Sequence, residues 1–250
     1  MTMTPAHIRL YGDLSELAGE VEVAVPIDAP RSVKDAVESC GVPHPEVGLL
    51  VVDSRPVGFD HRLEGGERVA VFPPFRSIEV AAITTVEPAP VAPRFVLDVH
   101  LGTLTRRLRV LGFDCWYRTE VDDDQLAEVA VAEERILLTR DRGLLMRRVI
   151  SHGYCPRSDD PDTQALEIVR RYRLCTQLAP WTRCVRCNGR LERVARQEVL
   201  DELPPRTRTA YDTFARCTSC RQVYWPGSHV EAMRGFLTRI EACCAPTTIC

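Results

Sequence analysis

Two cysteine pairs, Cys184-Val185-Arg186-Cys187 and Cys217-Thr218-Ser219-Cys220, constrain what this chain can fold into more than any other feature. A CxxC unit lets both thiolates meet one ion, and two such units complete a tetrahedral four-sulfur site. Asn188-Gly189 follows the first pair with residues that suit a tight turn. One CxxC alone would equally serve redox chemistry through a thiol of lowered pKa. Two of them in an Arg-rich, turn-rich segment point instead to zinc held by Cys184, Cys187, Cys217 and Cys220. Four protein ligands close the coordination shell, so the ion is expected to be structural and to stabilise a small domain of modest apolar content. The chain has 11 cysteines but no secretion signal, which argues against a disulfide framework. Cys243, Cys244 and Cys250 fit no ligand spacing and are expected as free thiols in a poorly ordered tail.

The net charge of -3 hides a division along the chain. Residues 1–76 sum to about -5 and residues 94–169 to about -3, whereas residues 170–240 sum to about +8. An acidic front and a basic back suit a protein whose rear part meets phosphate. The blander source is compositional bias, since Lys34 is the only lysine. Bias accounts for Arg in place of Lys but not for the segregation. No apolar run is long enough to span a bilayer, and Met1 to Leu10 lacks the pattern of a signal peptide. A cytoplasmic protein without membrane contact is expected.

Hydrophobic periodicity sets the order of elements. His7–Tyr11 and Val21–Val25 alternate as strands, and Val33, Ala36, Val37 and Cys40 mark one face of a helix over 32–40. Strands are then expected at 47–52, 55–58 and 68–72, the order of a β-grasp fold. Pro88, Pro90 and Pro93 mark a linker over 77–93. Beyond it, strands at 95–97, 115–117 and 136–139 alternate with helices at 101–111 and 124–134 and after Asp141. That alternation implies an α/β fold with a parallel sheet flanked by helices. The expected domains are 1–76, 94–175 and a zinc ribbon over 176–240, with a flexible tail over 241–250.

Ligands in open parallel sheets bind beyond the carboxyl ends of the strands. Asp98 and Asp141 each follow a strand, Asp122-Asp123-Asp124 opens a helix, and Asp159-Asp160 precedes another. Such carboxylates, if brought together, would hold Mg2+ or Mn2+ and acidify a water for attack on a phosphodiester. Asp98, Asp124, Asp141 and Asp162 all sit where a helix N-cap would, and for any one Asp alone the cap is the favoured reading; a cap can also be a ligand.

Several motifs are similar to those of the Mut-seven C-terminal RNase family. They are Arg94-Phe95-Val96-Leu97-Asp98, the run from Leu101 to Gly112, Asp122-Asp123, Ile136 through Asp141, and Ser158-Asp159-Asp160-Pro161. Tyr224-Trp225, Gly227, Ser228 and His229 also match its pattern. The resemblance covers about 94–233 and implies a PIN-like nuclease fold with a zinc ribbon. It implies a ribonuclease in which Asp98, Asp123, Asp141 and Asp160 (or Asp159) bind the catalytic cation and RNA is the partner. Arg106, Arg107 and Arg109, on the helix after Asp98, could reach phosphates, as could Arg140, because a guanidinium fork matches phosphate oxygens. The alternative for each is a solvated helix face. Tyr224 and Trp225 either stack bases or pack the ribbon core.

Residues 7–75 resemble the ubiquitin-like sulfur carriers of molybdopterin and thiamine synthesis, and Val69 to Pro74 is similar to their closing strand. Those carriers end in a reactive Gly-Gly; here Phe75-Arg76-Ser77-Ile78 follows and the chain runs on. The carrier chemistry is therefore excluded, and the module is expected to engage a protein partner or position RNA. Besides the nuclease, two other classes stand open: a non-catalytic RNA-binding module using the ribbon and basic surface, and a protein-interaction adaptor centred on the β-grasp domain.

Overall fold

A computed structural model describes residues 4–75, 83–84 and 86–245, apart from the His229 side chain. His229, Cys250 and residues 77–82 of the expected linker therefore lie outside the described residues. The N-terminal elements are β1 (Ala6–Leu10), α1 (Leu14–Ala18), β2 (Glu22–Val25), β3 (Arg31–Ser32), α2 (Val33–Ser39), β4 (Leu49–Val52), β5 (Arg55–Val57), β6 (Arg62–Leu63) and β7 (Arg68–Phe72). Five of the strands form one sheet in the order β2-β1-β7-β4-β5. β1 runs parallel to β7, while β1–β2 and β4–β7 are antiparallel. This is a β-grasp arrangement, with first and last strands side by side in the centre. Strict alternation in β1 buries Ala6, Ile8 and Leu10, and α2 buries Val33, Ala36 and Val37. The Ser32 hydroxyl caps α2 by accepting from the Asp35 N–H at 3.1 Å. α1 stands where sequence periodicity gives no helix, because five residues closed by Gly19 (φ 76°) are too few to show a period.

The chain continues through β8 (Phe95–Leu97), α3 (Gly102–Val110), β9 (Cys115–Trp116), α4 (Asp123–Ala132), β10 (Ile136–Leu138), α5 (Arg142–Leu145), β11 (Gly153–Tyr154) and α6 (Pro161–Arg171). β8, β10 and β11 pair in parallel in the order β11-β10-β8, with Ile136 opposite Phe95 and Leu138 opposite Leu97. Every residue of β8 and β10 is fully buried, the continuous apolar pattern of strands covered on both faces. β11 has two residues and leaves no period to read. Its Gly153 is required by space, since a Cβ there would lie 2.5 Å from Leu145 Cδ2. The last elements are β12 (Leu191–Val194), α7 (Pro205–Ala210), β13 (Phe214–Cys217), β14 (Val223–Tyr224) and α8 (Ser228–Cys244).

The chain divides into two compact units, Met1–Asp98 with Glu120–Cys155, and Val99–Thr119 with Pro156–Cys250. Within the first, the β-grasp fold and the parallel strands share hydrogen bonds. Arg142, first residue of α5, donates from Nη1 to the carbonyls of Leu17 (2.5 Å) and Gly41 (3.3 Å), at the ends of α1 and α2. The His44 ring sits 2.8 Å from the Ile150 carbonyl and 2.6 Å from Glu38 Oε1. The Cys155 N–H donates to Glu46 Oε1 at 2.7 Å, and Glu46 is fully buried.

In the second unit, Leu104 and Leu108 of α3, Ala165, Ile168 and Val169 of α6, and Met233, Phe236 and Ile240 of α8 are buried. β12, β13 and β14 form an antiparallel sheet. On it a small core of Val199, Leu203, Phe214 and Val223 gathers, with Val194, Tyr211 and Trp225 packed against it. Two expectations are corrected here. The tail does not begin at 241, because the apolar spacing of α8 continues past Ile240 to Cys244. Nor is Cys244 a free thiol. One turn beyond the buried Ile240, it forms a disulfide with Cys175, 69 residues away in sequence. Cys243 stays reduced, and its Sγ accepts from Arg170 Nε at 3.0 Å.

Phe95 lies at the centre of the first unit's core. Phe95→Ala is expected to cost about 3–5 kcal/mol, read as an earlier urea midpoint, whereas Val91→Ala on the surface shifts stability by less than about 0.5 kcal/mol.

Candidate functional site

The four knuckle cysteines converge. The Sγ atoms of Cys184, Cys187, Cys217 and Cys220 all lie within 4.8 Å of one another. Cys184 and Cys220 are 3.6 Å apart, and Cys187 and Cys217 3.4 Å. A tetrahedron with Zn–S bonds of about 2.3 Å has edges of about 3.8 Å, so the sulfurs already stand near the spacing zinc needs. They form a site that can hold a structural metal such as zinc. The two knuckles share one backbone plan. The Asn188 N–H donates to the Cys184 carbonyl and the Arg221 N–H to the Cys217 carbonyl. Asn188 (φ 70°) and Arg221 (φ 63°) both take the left-handed conformation that reverses the chain. Gly189 is required because a Cβ would sit 2.6 Å from Ser219 Oγ and 2.8 Å from Cys217 Sγ.

Protonation of the four sulfurs is uneven. Burial opposes ionisation of Cys184, but hydrogen bonds from the Tyr224 hydroxyl (3.0 Å) and nearby backbone N–H groups outweigh it and bring the thiol down to about 7. Burial pushes Cys187 up to about 12. Metal binding to such a site is accompanied by release of thiol protons.

Arg109 ties the first knuckle to α3. Its Nε and Nη2 donate to the Cys115 carbonyl at 3.2 and 2.7 Å, and Nη1 donates to the Val185 and Arg186 carbonyls at 3.1 Å each. Only 4% exposed, Arg109 is a brace for the knuckle and not a phosphate contact. Burial lowers its pKa, opposed by the neighbouring cysteines and Asp114. The Asn188 side chain adds a second tie, accepting from the Cys115 N–H (3.0 Å) and donating to Asp114 (2.9 Å), which pairs with Arg183 at 3.1 Å.

Asp98 and Asp141, both in the first unit, are linked through Thr139. The Thr139 hydroxyl donates to Asp98 Oδ2 at 2.6 Å and accepts from the Asp141 N–H at 2.9 Å. Asp98 is buried at the end of β8. Asp141 caps α5 through Oδ1, which accepts from the Gly143 and Leu144 N–H groups at 2.7 and 3.2 Å. Asp98 Oδ1 and Asp141 Oδ2 carry no hydrogen bond among the described residues. Asp122 caps α4 in a reciprocal pair with Gln125. Asp123 and Asp124 face Arg147 at 3.8 and 2.5 Å. Asp160, in the second unit, caps α6. Hydrogen bonds from the Thr163 hydroxyl and N–H hold its carboxyl below the usual range. Among the described residues the carboxylates form no group of three within 4.8 Å of one another.

The candidate phosphate-binding arginines differ in availability. Arg106 and Arg140 are exposed. Arg107 is half-buried, pairs with Asp162 and reaches Met233 Sδ at 3.3 Å, with its guanidinium 5.4 Å from the Phe236 ring. Asp162 also pairs with Arg239. Sequence reasoning missed Thr139 as a link, because a Thr closing a β-branched-compatible strand carries no distinguishing signal.

Buried parallel strands that end in carboxylates, followed by a four-cysteine ribbon, define an α/β protein with a metal-ribbon appendage. The Mut7-C RNAse domain model matches residues 93–237, more than half of the chain, and the chain belongs to that family. The Mut7-C ubiquitin model matches residues 3–79. Among solved structures, the chain is similar to small archaeal modifier protein 1 of H. volcanii, with 21% identity, 29% of this chain and 99% of that one covered, and a TM-score of 0.26. It is also similar to a putative molybdopterin converting factor, subunit 1, from Pyrococcus furiosus, with 20% identity, 29% and 99% covered, and a TM-score of 0.25. No curated protein matches the chain.

Gly189→Ala is expected to weaken zinc affinity by about 10–100-fold, the range for residues that orient metal ligands, measured by competition with a chromophoric chelator. Zinc removal is expected to open the 190–216 segment to limited proteolysis; unchanged resistance after full removal would show that the metal does not hold the ribbon.

Proposed function

We propose that the chain is a metal-dependent ribonuclease that hydrolyses RNA phosphodiester bonds with Mg2+ or Mn2+ held by carboxylates of the parallel-strand edge. The family assignment supports a ribonuclease, and the observation that carries the finer reading is the Thr139 link between Asp98 and Asp141. Each of these carboxylates spends one oxygen on the fold and keeps the other free of hydrogen bonds among the described residues, the donor set a hard cation takes while retaining most of its waters. Asp98 and Asp141 would hold the ion, with Asp123 of the same unit as a further ligand. When bound, the cation supplies a water of lowered pKa and offsets charge on the departing oxygen.

The chain's own residues do the positioning. The Thr139 hydroxyl fixes the Asp98 carboxylate, and the two N–H groups at the start of α5 fix Asp141. Preorganised groups of this kind spare reorganisation at the moment of reaction. Exposed Arg106 would meet the phosphates of the strand, and Arg140 would do so on giving up the contact it makes in the fold. Arg107 would do so on giving up Asp162. The β-grasp domain is assigned to binding a protein partner. We assign the protein to the cytoplasm on its four unpaired knuckle thiols, against which stands the Cys175–Cys244 disulfide, a bond more usual in oxidising compartments.

RNA cleavage is expected in Mn2+ or Mg2+ and not with chelator present. Asp98→Asn and Asp141→Asn should each lower the rate by about a hundredfold or more, measured on end-labelled RNA. Thr139→Val should lower it less and leave RNA binding unchanged. RNA bound by the wild-type protein with no cleavage in either ion would replace this reading with a recognition module.

A further inference from the structure

One face of the ribbon sheet carries Arg193, Ala215 and Tyr224 in a single cross-strand row, with Arg193 opposite Ala215 and Ala215 opposite Tyr224. A cleft of about 720 Å³ is lined by this row and by Trp181 and Trp225, Trp225 also packing against the ribbon core. Ala215 contributes the smallest side chain of the row to that lining. Both tryptophans are half-exposed, and neither indole N–H has a hydrogen-bond partner among the described residues. Trp181 is held at φ 63°, a sparsely populated conformation for a bulky residue, while its N–H donates to the Val110 carbonyl at 2.9 Å. The backbone therefore fixes an aromatic ring at the cleft where an ordinary turn residue would be relaxed.

Charge decides what such a cleft admits. Its charged lining residues are Arg183 and Arg193, with no carboxylate among the described ones. Arg183 is occupied by Asp114 and by the Gly112 and Asn188 carbonyls. Arg193 is exposed, with no ion pair among the described residues. Aromatic walls, donors without acceptors and one available guanidinium complement a flat π-system joined to an anion.

We infer that this cleft receives an unpaired base of an RNA strand, stacked on the Trp181 ring, with Arg193 on a neighbouring phosphate. It deepens the ribonuclease reading and rests on RNA being the ligand, since the site lies on the ribbon and not among the carboxylates. A base anchored here would give the enzyme a preference for single-stranded segments, because a paired base cannot leave its stack without cost.

The test uses the zinc-loaded full chain without Mg2+ or Mn2+, at one fixed salt concentration. Its probes are a fluorescent hexauridylate and an abasic ribose-phosphate hexamer of equal charge. Hexauridylate is expected to quench tryptophan emission and to bind about tenfold or more tightly than the abasic strand. Ala215→Leu, which adds bulk to the cleft lining, should erase that margin, and Arg193→Glu, on an exposed side chain, should weaken both probes. Equal binding of the two probes by the wild-type protein overturns the inference. So does an Ala215→Leu protein that retains zinc and keeps the margin. Should Ala215→Leu lose zinc, Arg193→Glu decides, and unchanged affinity there overturns it. Base-dependent binding without cleavage in any divalent ion keeps the cleft and removes the nuclease. Cleavage with base-independent binding does the reverse.

Discussion

Four sulfurs within 4.8 Å of one another cannot all become thiolates unless a cation stands among them. The rest of the second unit is arranged around that constraint. Both knuckles turn through left-handed residues, and Gly189 leaves space that any side chain would fill. Arg109 reaches from α3 to cap the Val185 and Arg186 carbonyls. The ribbon has a core of four buried apolar residues, too few to hold a fold against chain entropy without help. The four-cysteine site and this core together support the sheet that lines the aromatic cleft.

The first unit solves a different problem. Burying Asp98 is costly unless its charge is compensated, and the Thr139 hydroxyl provides one partner while orienting Asp141 through a backbone contact. Arg142 follows at once and is anchored to the ends of α1 and α2. The carboxylate edge therefore sits on a foundation that includes the β-grasp fold. That fold thus has a structural part to play beside any partner it binds.

The legible portions were those where residue chemistry repeats. Alternation in β1 and β7, the apolar runs of β8 and β10, and the paired CxxC spacing each state their structure locally. Asp141 was readable both as a cap and as a candidate ligand, and it does cap its helix; the caps expected at Asp124 and Asp162 fall instead on Asp122 and Asp160. What stayed hidden depends on distant segments. Arg109 looks like one more basic residue on a helix until the knuckle, more than seventy positions away, is placed against it. Cys244 has no neighbouring cysteine spacing that would announce Cys175. α1 and β11 are shorter than a period, and tertiary contact determines such pieces.

The Cys175–Cys244 bond encloses both knuckles, since 184–187 and 217–220 lie between its ends. The ribbon is therefore a ring closed by sulfur. In the chain-entropy account, closing a loop of this size removes about 4 kcal/mol of freedom from the unfolded state. If the metal leaves, the ring loses its internal order but its two ends stay together. A backbone nick anywhere between residues 176 and 243 would likewise leave a single covalent molecule, so the ribbon can be damaged or emptied without being lost.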